Sequence, residues 1–125
     1  MKKIIFTDKA PAPIGPYSQA TQIGNTIYTS GQIPLTTTGE LVTESIEAET
    51  KQVMENLKVV LEAAGATFEN VVKTTIFISN MDDFGKINTV YGSYINEETA
   101  PARETVQVAR LPKDVNVEIS MIAVV

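Results

Sequence analysis

The C-terminal run VNVEISMIAVV constrains this chain more than any other stretch. It is β-branched and apolar enough to be a strand. Alternate strand residues point to opposite faces, so Val117, Ile119 and Met121 share one face while Ile122 and Val124 share the other. Both faces are apolar over much of its length, and such a strand belongs in a sheet covered on both sides. The question is what the chain has available to cover it.

Two segments have helical spacing. From Ile46 to Ala64, residues Ile46, Val53, Leu57, Val60, Leu61 and Ala64 fall on one face. Ser45 is the expected N-cap, Glu47 and Glu49 suit the positive end of the helix, and Gly65 supplies the C-terminal stop. A second helix, capped by Asn80 or Asp82, puts Phe84, Ile87, Tyr91 and Tyr94 on one face. Gly85 and Gly92 each weaken it by about 1 kcal/mol relative to Ala, so packing must hold it.

The other periodic segments read as strands. TQIGNTIYTSGQIP has a hairpin turn at Gly24-Asn25, VVKTTIFIS spans Val71 to Ser79, and two last strands run from about Glu104 to Ala109 and Val115 to Val124. The order is three strands, helix, strand, helix, two strands, with KIIF as a further N-terminal strand. This is one α+β domain over residues 1–125, a mixed sheet with both helices on one face. No segment remains for the second face. Other copies of the subunit are the economical cover, so a homo-oligomer with inward-facing sheets is expected.

Composition removes whole classes of chemistry. The 125 residues contain no Cys and no His, which excludes disulfides, thiolate nucleophiles, Cys/His zinc sites and histidine acid–base catalysis. A net charge of −5 with no basic cluster opposes binding to phosphate backbones, so nucleic acid is not an expected partner. No window approaches the roughly 18 consecutive apolar residues that span a bilayer. The N-terminal MKKIIFTDK has too short an apolar run for a secretory segment, and a cytoplasmic location with no membrane partner is expected.

Few residues are left to carry chemistry. In TAPARETVQVAR, Arg103, Thr105 and Gln107 share a strand face, with Val106 and Val108 on the other. The Arg103 guanidinium is solvated, paired with a protein carboxylate, or open to the carboxylate of a ligand. Glu118 is either an edge-strand charge that discourages aggregation or a carboxyl beside apolar surface with a raised pKa. Tyr17 of GPYS seals a proline-rich loop or holds a ligand with its hydroxyl. Gly31 of SGQIP is an ordinary turn residue or lets a backbone N–H approach an anion, and Asn88 on the second helix faces solvent or a ligand.

GPYSQA, TSGQIP, EAAGATFENVVKTTIFISNMDDF, NTVYGSY, APAR and ARLPKDVNVEISMIAV resemble successive signatures of the RidA family of imine deaminases, from about Ala10 to the C-terminus. The resemblance implies a chorismate-mutase-like α+β subunit in a homotrimer with clefts between adjacent subunits. It implies hydrolysis of 2-iminobutanoate and 2-iminopropanoate to 2-oxo acids and ammonia, which protects pyridoxal-phosphate enzymes from 2-aminoacrylate. No cofactor and no metal is expected. By position, Arg103 would clamp the substrate carboxylate and Glu118 would position or activate water, with Tyr17, Gly31 and Asn88 shaping the cleft. Thr105 stands among the substrate-binding positions where family members often have Cys, so thiol-based behaviour is not implied here. Ile95 replaces the family's usual aromatic after the second helix. Three rivals remain: a non-catalytic sensor of small carboxylates using the same cleft, a ribonuclease or translation inhibitor, which the acidic charge opposes, and a family paralogue with a shifted substrate.

Overall fold

The computed structural model describes residues 1–125. Its elements are β1 (Lys3–Ile5), β2 (Ala20–Ile23), β3 (Thr26–Thr29), α1 (Ile46–Ala63), β4 (Val71–Ile78), α2 (Phe84–Gly92), β5 (Ala102–Gln107) and β6 (Val117–Val124). The strands form one six-stranded sheet in the order β1-β2-β3-β6-β4-β5. All neighbours are antiparallel except β4 and β5, which α2 joins by a parallel crossover. The result is a mixed α+β sheet with both helices on one face, as the periodicities require.

The first helix follows its local signals. Ser45 Oγ accepts the Ala48 N–H at 3.0 Å, Glu47 and Glu49 occupy the first turn, and Gly65 at φ +78° lets the chain leave the helix. Its inner face buries Val53, Met54, Leu57, Val60 and Leu61 against Ile27, Ile76, Ile119 and Met121 of the sheet. Each fully buried side chain of this kind contributes about 1.5–3 kcal/mol relative to exposure.

Three local expectations are corrected. Two strands rather than three lie between β1 and α1: beyond β3 only Gln32 bridges to Ile119, and Pro34, without an N–H, cannot extend a ladder. The second helix begins at Phe84 with Asp83 at its N-cap making no side-chain bond, and Asn80, whose side chain accepts the Asp82 N–H at 2.9 Å, caps the preceding 3₁₀ turn over Met81–Asp83 instead. Tyr94 lies beyond its end, with its hydroxyl donating to Glu55 at 2.7 Å. The last strands are shifted: β5 runs from Ala102 to Gln107, and β6 begins later than expected, at Val117, after a connecting turn in which Lys113 and Asp114 adopt left-handed backbone conformations.

The sheet has two unlike faces. Val117, Ile119, Met121 and Ala123 of β6 are buried under the helices. The opposite face is bare: Ile4 is 54 % exposed, Tyr28 46 %, Val106 41 % and Val124 42 %. The apolar second face expected from the C-terminal strand therefore exists, and nothing within the chain covers it.

Candidate active site

Strand register decides where each candidate side chain goes. Arg103 pairs with Thr74 of β4, which pairs with Met121 of β6; both partners are buried on the helix side. Glu118 pairs with Phe77, which pairs with Val106, one of the residues of the bare face. Arg103 and Glu118 therefore stand on opposite faces of one sheet. A single chain does not bring them together.

On the helix side, the Arg103 guanidinium lies 5.2 Å from the ring centre of Tyr91 and 5.7 Å from that of Phe84. Its Nη1 donates to Asn88 Oδ1 at 2.6 Å. These contacts place it beside a hollow of about 640 Å³ whose lining includes Asn88, Tyr91, Ile95, Glu97 and Pro101. No carboxylate of the chain forms an ion pair with it. Glu104, the next residue, is turned to the bare face, where Lys73 at 2.8 Å and the Thr75 hydroxyl at 2.9 Å hold its pKa below the usual carboxylate value. Of the three states open to Arg103 in the sequence, pairing with a protein acid is thus removed. Burial raises the Tyr91 phenol above its ordinary value, although the hydrogen bond to Thr74 at 3.0 Å and the nearby Arg103 charge pull the other way.

On the other side, Glu118 lines a cleft of about 540 Å³ with Tyr17, Ser30, Gly31, Ile33 and Lys113. Its carboxyl group has no hydrogen-bond or ionic partner in the chain, and burial pushes its pKa above the usual carboxylate value. Gly31 is packed directly against it: a Cβ on Gly31 would lie 2.5 Å from Glu118 Oε2. The Gly31 amide N–H has no partner within the chain, and the backbone there is pinned by paired Gln32–Ile119 hydrogen bonds of 2.8 and 3.1 Å. The Tyr17 hydroxyl accepts the Ile14 N–H at 3.3 Å, so its own proton remains available to a ligand. At the mouth of the cleft, the left-handed Lys113–Asp114 turn is braced by Arg110, whose Nε and Nη2 reach Asp114 at 2.5 and 3.2 Å.

The predicted residues thus fall into two groups: Tyr17, Gly31 and Glu118 at one cleft, Arg103 and Asn88 at the other. Thr105 lines neither; its Oγ1 is buried without a hydrogen-bond partner, on the face in register with Ile76. The sequence reading missed Gln19 and Asn56, two buried carboxamides that brace the Glu118 cleft. Gln19 lay within the quoted GPYSQA motif, and Asn56 sits within the apolar register of α1, so a polar residue at a core position was the available signal.

Fold and site define a small α+β domain that presents a guanidinium without a carboxylate on one face and a carboxyl group without a cation on the other. Comparison with known proteins gives this class its family. Residues 7–125 match the family model described as Endoribonuclease L-PSP. The 2-iminobutanoate/2-iminopropanoate deaminase of Salmonella typhimurium is 46 % identical over 126 residues, covering 99 % of this chain and 98 % of that protein. The enzyme of the same name from Mus musculus is 50 % identical over 125 residues, covering 99 % and 92 %. Among solved structures, YyfA of Yersinia pestis, described as a Rid-family protein of unknown function, superposes with a TM-score of 0.97 at 47 % identity over the whole of both chains. TdcF of E. coli with bound serine gives 0.92 at 44 % identity over 98 % of each chain. The chain belongs to the RidA family.

Proposed function

We propose that the protein hydrolyses reactive 2-imino acids, 2-iminobutanoate and 2-iminopropanoate, to 2-oxo acids and ammonia, and so protects pyridoxal-phosphate enzymes from 2-aminoacrylate. The observation that carries this reading is the placement of an uncommitted guanidinium and an uncommitted, raised-pKa carboxyl on opposite faces of one sheet. Two such half-sites become one whole site when the helix-side edge of one subunit meets the bare face of another. A homotrimer with three intersubunit clefts does this, and buries the exposed Ile4, Tyr28, Val106 and Val124 at the same time.

In such a cleft Arg103 holds the substrate carboxylate with its planar fork, and Asn88 fixes the guanidinium in place. The imine carbon is already electrophilic, so no covalent nucleophile is needed. Glu118 as carboxylate takes a proton from water while the C–O bond forms and the C=N π pair moves to nitrogen. As carboxylic acid it returns that proton to nitrogen. Glu118 next takes the adduct's hydroxyl proton and passes it to nitrogen, so that the C=O bond forms as the C–N bond breaks, ammonia leaves and the 2-oxo acid remains. The Gly31 N–H and the Tyr17 hydroxyl are the free donors for polar atoms of the adduct. Positioning and one carboxyl group supply the catalysis, consistent with a chain that has no His or Cys.

The deaminase name borne by relatives at 46 and 50 % identity supports this reading. The nuclease description of the family model fits this chain less well, because a net charge of −5 opposes RNA binding. The bound serine of TdcF also suits a non-catalytic carboxylate sensor. One experiment separates the readings. A threonine dehydratase generates the imine in the presence of an amine scavenger, and 2-oxobutanoate release is followed with and without this protein. Acceleration that is lost in Arg103→Ala supports the deaminase; no acceleration with intact 2-oxobutanoate binding supports the sensor.

A further inference from the structure

The two walls of the Glu118 cleft are irregular chain, yet each is tied down by one buried side-chain amide. Asn56, 2 % exposed on α1, donates both Nδ2 hydrogens, to Leu35 O at 2.9 Å and Ile33 O at 3.2 Å. Its Oδ1 accepts from Gln52 Nε2 at 2.9 Å, which fixes the orientation of the amide. Gln19, 1 % exposed at the start of the sheet, does the same for the other wall. Its Nε2 donates to Thr7 O at 2.9 Å and Pro11 O at 3.0 Å, while its Oε1 accepts the Thr7 N–H at 2.7 Å.

Neither wall has a strand ladder to hold it. Ile33 to Leu35 is interrupted by Pro34, and Pro11 to Tyr17 contains Pro11, Pro13 and Pro16. A buried amide that donates both its N–H groups to one strand-free segment is costly to place there and rigid once placed. Both amides act on the segments that carry Gly31 and Tyr17, and neither touches Arg103.

We propose that Gln19 and Asn56 are positioning residues that set the separation of the two cleft walls, and with it the placement of Gly31 and Tyr17 around the Glu118 carboxyl. The proposal rests on the deaminase reading for its kinetic consequence. Loss of either amide leaves the Arg103 half-site intact but lets one wall move, so the step at Glu118 slows while carboxylate binding persists.

The test compares Asn56→Asp and Gln19→Glu, near-isosteric changes that exchange the donating NH2 for a carboxylate, with the milder Gln52→Ala, which leaves both Asn56 donors in place and introduces no buried charge. Three quantities are measured: kcat and KM for imine hydrolysis, 2-oxobutanoate affinity, and amide hydrogen exchange. Expected are a roughly tenfold fall in kcat for Asn56→Asp and Gln19→Glu with KM and 2-oxobutanoate affinity within about twofold, and a smaller fall for Gln52→Ala. Exchange should accelerate in residues 30–42 for the Asn56 and Gln52 variants and in residues 7–17 for the Gln19 variant. Wild-type kcat despite local loosening overturns the proposal, and so does loosening spread evenly over the whole chain. If the wild-type protein hydrolyses no imine, the deaminase reading fails by itself, and the exchange pattern alone decides whether the amides hold the walls.

Discussion

The carboxyl group of Glu118 occupies the space that a side chain on Gly31 would need, with Oε2 2.5 Å from the ideal Cβ position. The obstructing atoms are the far end of a flexible side chain, so Gly31→Ala is accommodated by moving Glu118 rather than by unfolding the loop. We expect Gly31→Ala to keep a melting temperature close to that of the wild type and to lose about 10–100-fold in kcat/KM. Steady-state imine hydrolysis paired with a thermal melt checks this, and full activity in a folded variant refutes it.

Arg103 is held by Asn88 and by the Tyr91 and Phe84 rings, not by an acid. Its removal leaves no buried charge unpaired, and stability should fall by about 1 kcal/mol or less. Arg103→Ala should nonetheless abolish imine hydrolysis, and Arg103→Lys should restore little, because an ammonium lacks the planar fork. Denaturant unfolding and turnover measured on the same samples separate the two effects.

Glu118 has its pKa raised by burial with no compensating partner. A folded-state pKa above the unfolded one makes the group most compatible with folding when protonated. That contribution is fully present below the unfolded pKa and is lost as pH rises through the folded one. Glu118→Gln should therefore melt higher than the wild type at pH 7, and the difference should vanish below about pH 4. Turnover should drop by about 100-fold or more in the same variant while 2-oxobutanoate affinity is kept. A melting curve at each pH, with equilibrium binding, is the measurement.

If each complete site takes Arg103 from one subunit and Glu118 from another, inactive Arg103→Ala and inactive Glu118→Gln proteins should complement each other. Unfolding an equal mixture and refolding it should recover about a quarter of the wild-type activity, since half the subunits are intact at each position. Mixing without subunit exchange should recover none. No recovery from reassembled hetero-oligomers would place both residues at sites within one subunit.

Much of this protein was legible in the sequence because the relevant physics is local. Ser45 as cap, Gly65 as stop and the apolar face of α1 are set by residues within a few positions of one another. The alternation in β6 and β5 likewise announced a doubly apolar strand and a row of Arg103, Thr105 and Gln107. The family motifs picked out Arg103, Glu118, Tyr17, Gly31 and Asn88. What alternation within one strand cannot state is how its faces correspond to those of another strand. That depends on β4 lying between β5 and β6 in a register that matches Arg103 with Thr74 and Glu118 with Phe77, and so sends the two side chains to opposite faces. The sequence marked Gln19 by its motif and Asn56 by its core position, but the bonding partners of both were hidden for the same reason. Their hydrogen bonds join Gln19 to residues 8 and 12 positions away and Asn56 to residues 21 and 23 away, and only the closed fold brings those groups within reach.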